Sequence, residues 1–139
     1  MSAELEVQKA LRARFTTTAA LMALVPAANV RDTNQRPAPN PSIILGESQA
    51  VDEGTSLRRT HTRVYHTIHV WKREASLEGV KAICGQIRRA VNFGPRLVMA
   101  APYHCADLQV SSTRTIRDPD GEHSHGIVTV EALIVEALS

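Results

Sequence analysis

The chain has 139 residues, of which 43% are hydrophobic, 22% charged and 4% aromatic, and its formal net charge is +2. This length fits one domain with one core, and the composition is that of a globular protein rather than a disordered or fibrous chain. The small net charge gives no indication of a dedicated nucleic-acid-binding domain.

The N-terminus does not resemble a signal peptide, because its first residues are acidic and arginines interrupt the apolar residues that follow. No stretch reaches the roughly 20 apolar residues that a membrane-spanning helix needs. Cys84 and Cys105 lack C-x-x-C spacing, so we expect buried, reduced thiols rather than a disulfide or a zinc site. These features predict a protein made in the cytoplasm with no membrane partner.

The N-terminal third is predicted to be helical and then extended. Ser2 is the expected N-cap of a first helix with an apolar stripe at Val7, Leu11 and Phe15, and "AALMALV" predicts a short second helix before Pro26. "RPAPNP", residues 36–41, predicts an extended lead-in to the strand "SIIL", which we expect to end at Gly46. The polar residues 47–59 are predicted to form an exposed loop.

The segment "HTIHVW", residues 66–71, lies in a stretch with a period of two, which predicts a strand over residues 60–72. Val64, His66 and Ile68 then share one face, while His69 and Trp71 lie on the other. The two histidines therefore cannot bind one metal ion. We expect both to lie at the sheet surface or in a subunit contact.

The second half predicts a helix followed by a strand hairpin. "SLEGVKAICGQIRRAVNFGP" has apolar residues three and four apart, which indicates an amphipathic helix. "RLVMA", residues 96–100, predicts a short strand, and residues 105–116 and 124–136 predict two longer ones. "RDPDGEH" has strong turn chemistry, so the hairpin turn is placed at residues 117–125. The expected fold is a single α+β domain, a mainly antiparallel sheet with helices packed on one face.

Two clusters could carry chemistry. His123 and His125 share a strand face close to Asp120, as a metal site would require, but the same residues are typical of a solvated turn. His104, Cys105 and Asp107 suggest a Cys/His nucleophile; adjacent strand residues diverge, however, which favours a buried structural cysteine. The sequence contains no G-x-S-x-G, P-loop, G-x-G-x-x-G or H-E-x-x-H motif.

The densest basic run contains Arg58, Arg59, His61 and Arg63, and it follows Asp52 and Glu53. Such a run could contact nucleic acid, but the modest overall charge favours a solvated face or one side of a charge-paired subunit contact. Aromatic residues placed for base stacking are missing from it.

Four segments together resemble a known family. They are the N-terminal helix with its Leu-rich continuation, "PSIILGES", the strand "HTRVYHTIHVW" leading into "EASLEGVKAICGQIRRAV", and the hairpin "RDPDGEHSHGIVTVEALI". This arrangement is similar to the tail terminator or tail completion proteins of phages, formerly a domain of unknown function. The positions that match best are 69–71 and the turn at Asp120 and Gly121.

The resemblance implies a structural virion protein without catalytic residues or cofactors. Members form a ring, typically of six copies, that caps the head-proximal end of a long non-contractile tail tube and meets the head-side connector. DNA would pass through the ring without sequence-specific binding. The expected partners are therefore further copies of the chain, the tail tube protein and the connector or stopper protein.

A ring subunit needs two complementary surfaces, because a heterologous contact must repeat until the ring closes. The sequence predicts a subunit or tube interface containing the following charged, histidine and tryptophan side chains: Asp52, Glu53, Arg58, Arg59, Arg63, His69, Trp71, Asp118, Asp120, His123 and His125. The alternatives are another neck component, such as a head-tail connector or stopper, a small metal-dependent enzyme using His123, His125 and Asp120, and a nucleic-acid-binding module.

Overall fold

A computed structural model describes residues 2–32 and 39–138 of the chain. A five-stranded sheet has the strand order β1-β2-β3-β5-β4, in which only β1 and β2 are parallel neighbours. The predicted α+β fold, with helices on one face of a mainly antiparallel sheet, is confirmed. The helices and strands, in chain order, are α1 (Ala3–Thr16), α2 (Ala19–Met22), β1 (Val30–Arg31), β2 (Ser42–Asp52), β3 (His61–Arg73), α3 (Glu78–Asn92), β4 (Tyr103–Arg117) and β5 (His123–Glu136).

The first helix begins and packs as its sequence predicts. The Ser2 hydroxyl accepts a hydrogen bond from the Leu5 amide at 3.1 Å, which satisfies one of the free amides of the first turn. Val7, Leu11 and Phe15 are fully buried and form the stripe that faces the sheet. The short helix α2 follows, and a 3-10 turn at Ala27–Asn29 leads into β1, a two-residue strand that was not predicted.

Strand β2 is longer than predicted. The strand does not end at Gly46 but continues to Asp52, and the ladder with β3 resumes at Ser48 opposite His66 after a bulge. Residues 47–52 are exposed, as expected. They nevertheless form a strand, because β3 supplies backbone hydrogen-bond partners, and the polar sequence alone does not indicate that pairing. The lead-in at residues 36–41 lies partly outside the described residues, which begin again at residue 39.

Strands β3 and β5 are the centre of the sheet and alternate between buried and half-buried residues over residues 64–71 and 123–135. On the covered face, Val64 lies opposite Ala132, and Ile68 opposite Val128. His66 is on this face and is fully buried, so its predicted position at the sheet surface is wrong. The period of two places His66 beside valine and isoleucine, and the helices cover all of them.

Helix α3 packs on the same face and completes the core, with Val80, Ile83 and Ile87 buried. It approaches β5 closely at Gly126, where an added Cβ would lie 2.5 Å from the Cys84 sulfur. Residues 96–100 are not a strand, contrary to prediction, although Leu97 is buried. Pro95 and Pro102 flank this segment, and proline lacks the amide donor that a strand ladder needs.

Candidate subunit interface

The open face of the sheet, away from the helices, carries the polar and aromatic side chains of β3 and β5. His69 lies opposite Ile127, and Trp71 opposite His125 in the ladder. His66 and His69 are on opposite faces, which confirms the prediction that they cannot share a metal ion. The side chains of His69, Trp71 and His125 therefore lie on the open face and not in the core.

Four residues on this face form one contiguous group, the open-face cluster: Glu47, His69, Trp71 and His125. The rings of Trp71 and His125 are stacked, with centroids 3.8 Å apart and planes 8° from parallel. His69 Nδ1 lies 2.9 Å from His125 Nε2, and its Nε2 lies 3.1 Å from a carboxylate oxygen of Glu47. A nitrogen-to-nitrogen hydrogen bond requires one of the two ring nitrogens to be unprotonated.

The pKa values of the cluster follow from these contacts. A backbone hydrogen bond, and after it the contact with His69, lowers the pKa of Glu47 against the opposing effect of burial. Burial, and then the proximity of His69, lowers the pKa of His125. At neutral pH the cluster therefore presents the Glu47 carboxylate and, on the other side of His69, a neutral His125 imidazole stacked on the Trp71 indole.

A depression of about 340 Å³ opens over the cluster, and it is also lined by Asp32, Ile44 and Gly46. Gly46 sits at the bulge of β2, where an added Cβ would lie 2.8 Å from the His69 ring. Any larger residue would displace that ring, so the bulge and the glycine together hold His69 in place. The depression has an aromatic and aliphatic floor and carboxylates at its edge.

The charged residues near the β2–β3 turn pair mostly within the chain. Asp52 contacts Arg59 at 2.9 Å, and Arg63 binds Glu53 at 2.8 Å and Glu131 at 3.1 Å. The Arg63 contact lowers the pKa of Glu53, and the Glu53 contact raises the pKa of Arg63. These four predicted interface residues, Asp52, Glu53, Arg59 and Arg63, are therefore brought together as internal ion pairs.

Arg58 differs from its neighbours. Its side chain is exposed and makes no hydrogen bond or ion pair with the described part of the chain. Leu57 beside it is 100% exposed, the most exposed large hydrophobic residue among those described. The tip of the turn thus exposes the apolar side chain of Leu57 and the guanidinium group of Arg58, which has no partner in the described part of the chain.

The β4–β5 turn occupies residues 118–122, within the predicted span of 117–125. The Asp118 amide donates to the His123 carbonyl at 2.9 Å, and Gly121 has φ +74°. Asp120 accepts hydrogen bonds from the amides of Glu122 and His123 and from His123 Nδ1, which together lower its pKa. Asp118, Asp120 and His123 are thus used to shape the turn.

The proposed metal ligands do not converge. His123 bonds Asp120, while His125 stacks on Trp71 and bonds His69. Within residues 2–32 and 39–138, no group of three or more His, Cys, Asp or Glu side chains could hold a metal ion. The contacts of His69 with His125 and with Glu47 were missed from the sequence, because they depend on the register of three strands.

The two cysteines are buried and free. Burial raises the pKa of Cys84 to about 11, and burial likewise raises the pKa of Cys105. The Cys105 thiol donates to the Asp107 carbonyl at 3.3 Å, while His104 beside it is exposed. Thiols of this kind are poor nucleophiles, as the structural interpretation of Cys105 predicts.

The family model for tail completion protein gp17 matches residues 9–135. The chain belongs to this family. No curated protein matches the chain. Among solved structures, it is similar to a chain of the "virion of native gene transfer agent (GTA) particle", with a TM-score of 0.79 and 21% identity over 99% of this chain and 100% of that one. It is also similar to the gp17 protein of bacteriophage SPP1, with a TM-score of 0.57 and 22% identity over 94% of this chain and 89% of that one.

Membership in the tail completion protein gp17 family confirms the resemblance drawn from the sequence. The protein is a structural tail protein and not an enzyme. No helix in the described residues is long and apolar enough to cross a membrane.

Proposed function

We propose that this tail completion protein is a tail terminator of a phage or phage-like particle. In this proposal six copies form a ring that caps the head-proximal end of a long non-contractile tail tube. The ring contacts the tube protein on one side and the head-side connector on the other, and DNA passes through it without sequence-specific binding. The observation that carries the proposal is the family match over residues 9–135, which leaves out only the two termini.

The similarity to a chain from a gene transfer agent virion supports a place in the particle, since that chain is matched along its whole length. A heterologous ring also needs two different surfaces on each subunit. The β2–β3 turn and the open-face cluster are different in chemistry and do not contact each other. They supply the two surfaces that such a ring requires.

The internal ion pairs reduce the number of predicted interface residues that are available for a contact between subunits. Arg59 and Arg63 already have carboxylate partners, so a contact between subunits would have to compete with those pairs. Arg58, His69, Trp71 and His125 have no such competition from charged partners, apart from the contact of His69 with exposed Glu47. We therefore assign the subunit contact to these four residues and assign Asp118, Asp120 and His123 to the turn.

The test is electron microscopy of particles from a strain that lacks this gene, compared with the same strain carrying the gene on a plasmid. We expect tails of uncontrolled length, and we expect the plasmid to restore normal particles. Particles with normal, attached tails in the deletion strain would refute the terminator function. Tails of normal length that fail to attach would instead support a connector or stopper.

A further inference from the structure

Two exposed features of the described chain are complementary in chemistry, although Glu47 in one of them also contacts His69. One is the tip of the β2–β3 turn, where Leu57 is 100% exposed and the Arg58 side chain is unpaired. The other is the depression over the open-face cluster, where Glu47 has a side chain that is 71% exposed. The tip exposes an apolar side chain and a cation, and the depression exposes apolar surface and a carboxylate.

The lining of the depression is complementary to a positively charged group that lies next to an apolar side chain. Its floor is formed by the stacked rings of Trp71 and His125 and by Ile44, which is 4% exposed. The carboxylates of Glu47 and Asp32 stand at the edge. A guanidinium group gains from the face of an aromatic ring and pairs in a bidentate manner with a carboxylate, and Trp and Arg are the residues that most often dominate protein interfaces.

The two features cannot meet within one chain. Strand β3 begins at His61, next to the tip, and reaches the cluster at Trp71. At about 3.3 Å per residue, these ends of the strand are roughly 30 Å apart, and Glu47 lies five residues of β2, roughly 17 Å, from Asp52 at the start of the turn. A contact between tip and cluster must therefore join two copies, and because the two surfaces differ, the contact repeats from copy to copy in one direction.

We propose that Leu57 and Arg58 of one copy insert into the depression over Glu47, Trp71 and His125 of the next copy. Leu57 covers the apolar floor, and Arg58 pairs with the Glu47 carboxylate and lies against the aromatic stack. This inference rests on the proposed function, since it names the contact from which the ring is built. The charge-paired subunit contact predicted from the sequence involved many residues, whereas this contact joins the turn tip of one copy to the depression of the next.

Disulfide cross-linking of the purified full chain tests the geometry. The variant Leu57→Cys with Glu47→Cys places one thiol on each surface, while Cys84 and Cys105 are buried and do not interfere. Under oxidising conditions at high concentration, we expect a ladder of dimers, trimers and larger species on non-reducing gels. Each single variant alone is expected to stay monomeric, and a mixture of the two is expected to stop at dimers.

Absence of a ladder from the double variant would overturn the proposal. Dimers formed by the Leu57→Cys chain alone would overturn it as well, because they would indicate a symmetric contact between two tips. A mixture of the single variants that fails to form dimers would have the same meaning, since the proposed contact joins the two different surfaces.

Charge exchange tests the chemistry of the same contact. In complementation of the deletion strain, Arg58→Glu and Glu47→Arg are each expected to reduce normal particles by tenfold or more, and the double exchange is expected to restore most of the loss. The control is Lys81→Glu, an equal charge change on α3, which packs on the opposite face of the sheet. Loss with Lys81→Glu equal to that with Arg58→Glu, or no rescue by the double exchange, would contradict the pairing.

The two proposals can fail separately. A ladder together with normal tails in the deletion strain would keep the contact and refute the terminator function. Defective tails in the deletion strain with no ladder would keep the function and refute this contact.

Discussion

Replacing His66 with leucine is expected to reduce the loss of folding stability in acid. His66 is fully buried on the covered face of β3, and neither ring nitrogen has a hydrogen-bond partner among the described residues. Burial lowers its pKa below the ordinary value of 6.5, against the smaller opposing effects of Glu47 on β2 and Glu4 on α1. The folded protein therefore holds His66 neutral where the unfolded chain binds a proton.

The sign and size follow from proton linkage. Above the unfolded pKa of about 6.5, neither state binds the proton and His66 has no pH effect. Below it, the unfolded state is stabilised by about 1.4 kcal/mol for each pH unit, until the pH reaches the lowered pKa of the folded state. At pH 5.0 the wild-type chain is thus expected to lose stability that His66→Leu does not lose, up to a limit of about 2 kcal/mol that is set by the unfolded pKa.

The measurement is the free energy of unfolding from urea titration at about pH 7.5 and pH 5.0, at one protein concentration. Carboxylates with a lowered pKa that do not interact with His66, such as Glu53 and Asp120, affect both chains equally, so only the difference between chains is used. At pH 7.5 we expect His66→Leu to be as stable as wild type or more stable, because it removes two unpartnered nitrogens. His104→Gln, at an exposed histidine, is the control.

Equal losses of stability in wild type and His66→Leu between the two pH values would refute this account of His66. A large loss at pH 7.5 in the leucine variant would show that the imidazole stabilises the core. Either result would mean that its ring nitrogens are satisfied in solution.

Two further substitutions test the packing of the core. Ser42 and Ser124 are both fully buried, but the Ser42 hydroxyl is unpartnered in the described chain while the Ser124 hydroxyl donates to the Ser76 carbonyl at 2.7 Å. Urea titration is expected to show no loss for Ser42→Ala and a loss of about 1–3 kcal/mol for Ser124→Ala; equal losses would contradict the assignment. Gly126→Ala places a Cβ 2.5 Å from the Cys84 sulfur, so we expect a loss of roughly 1–3 kcal/mol in thermal unfolding. Adding Cys84→Ala is expected to recover part of it, and additive losses would argue against this contact.

Local patterns in the sequence determined most of the elements. The stripe of α1, the period of two in β3 and the Asp-Gly turn each depend on residues within a few positions, so they predicted the helix, the central strand and the hairpin. The opposite faces of His66 and His69 followed from the same period. Segment boundaries were less secure, because β2 extends past Gly46 only through its ladder with β3.

Tertiary structure alone decided which side chains meet. His69 and His125 are 56 positions apart, and their contact exists because β3 and β5 pair in one particular register. The same pairing brings Arg63 to Glu131. Periodicity placed His66 on a face but could not say that the helices would cover it. A sequence pattern describes neighbours along the chain, whereas burial and ion pairing depend on strand register and on which face of the sheet the helices pack.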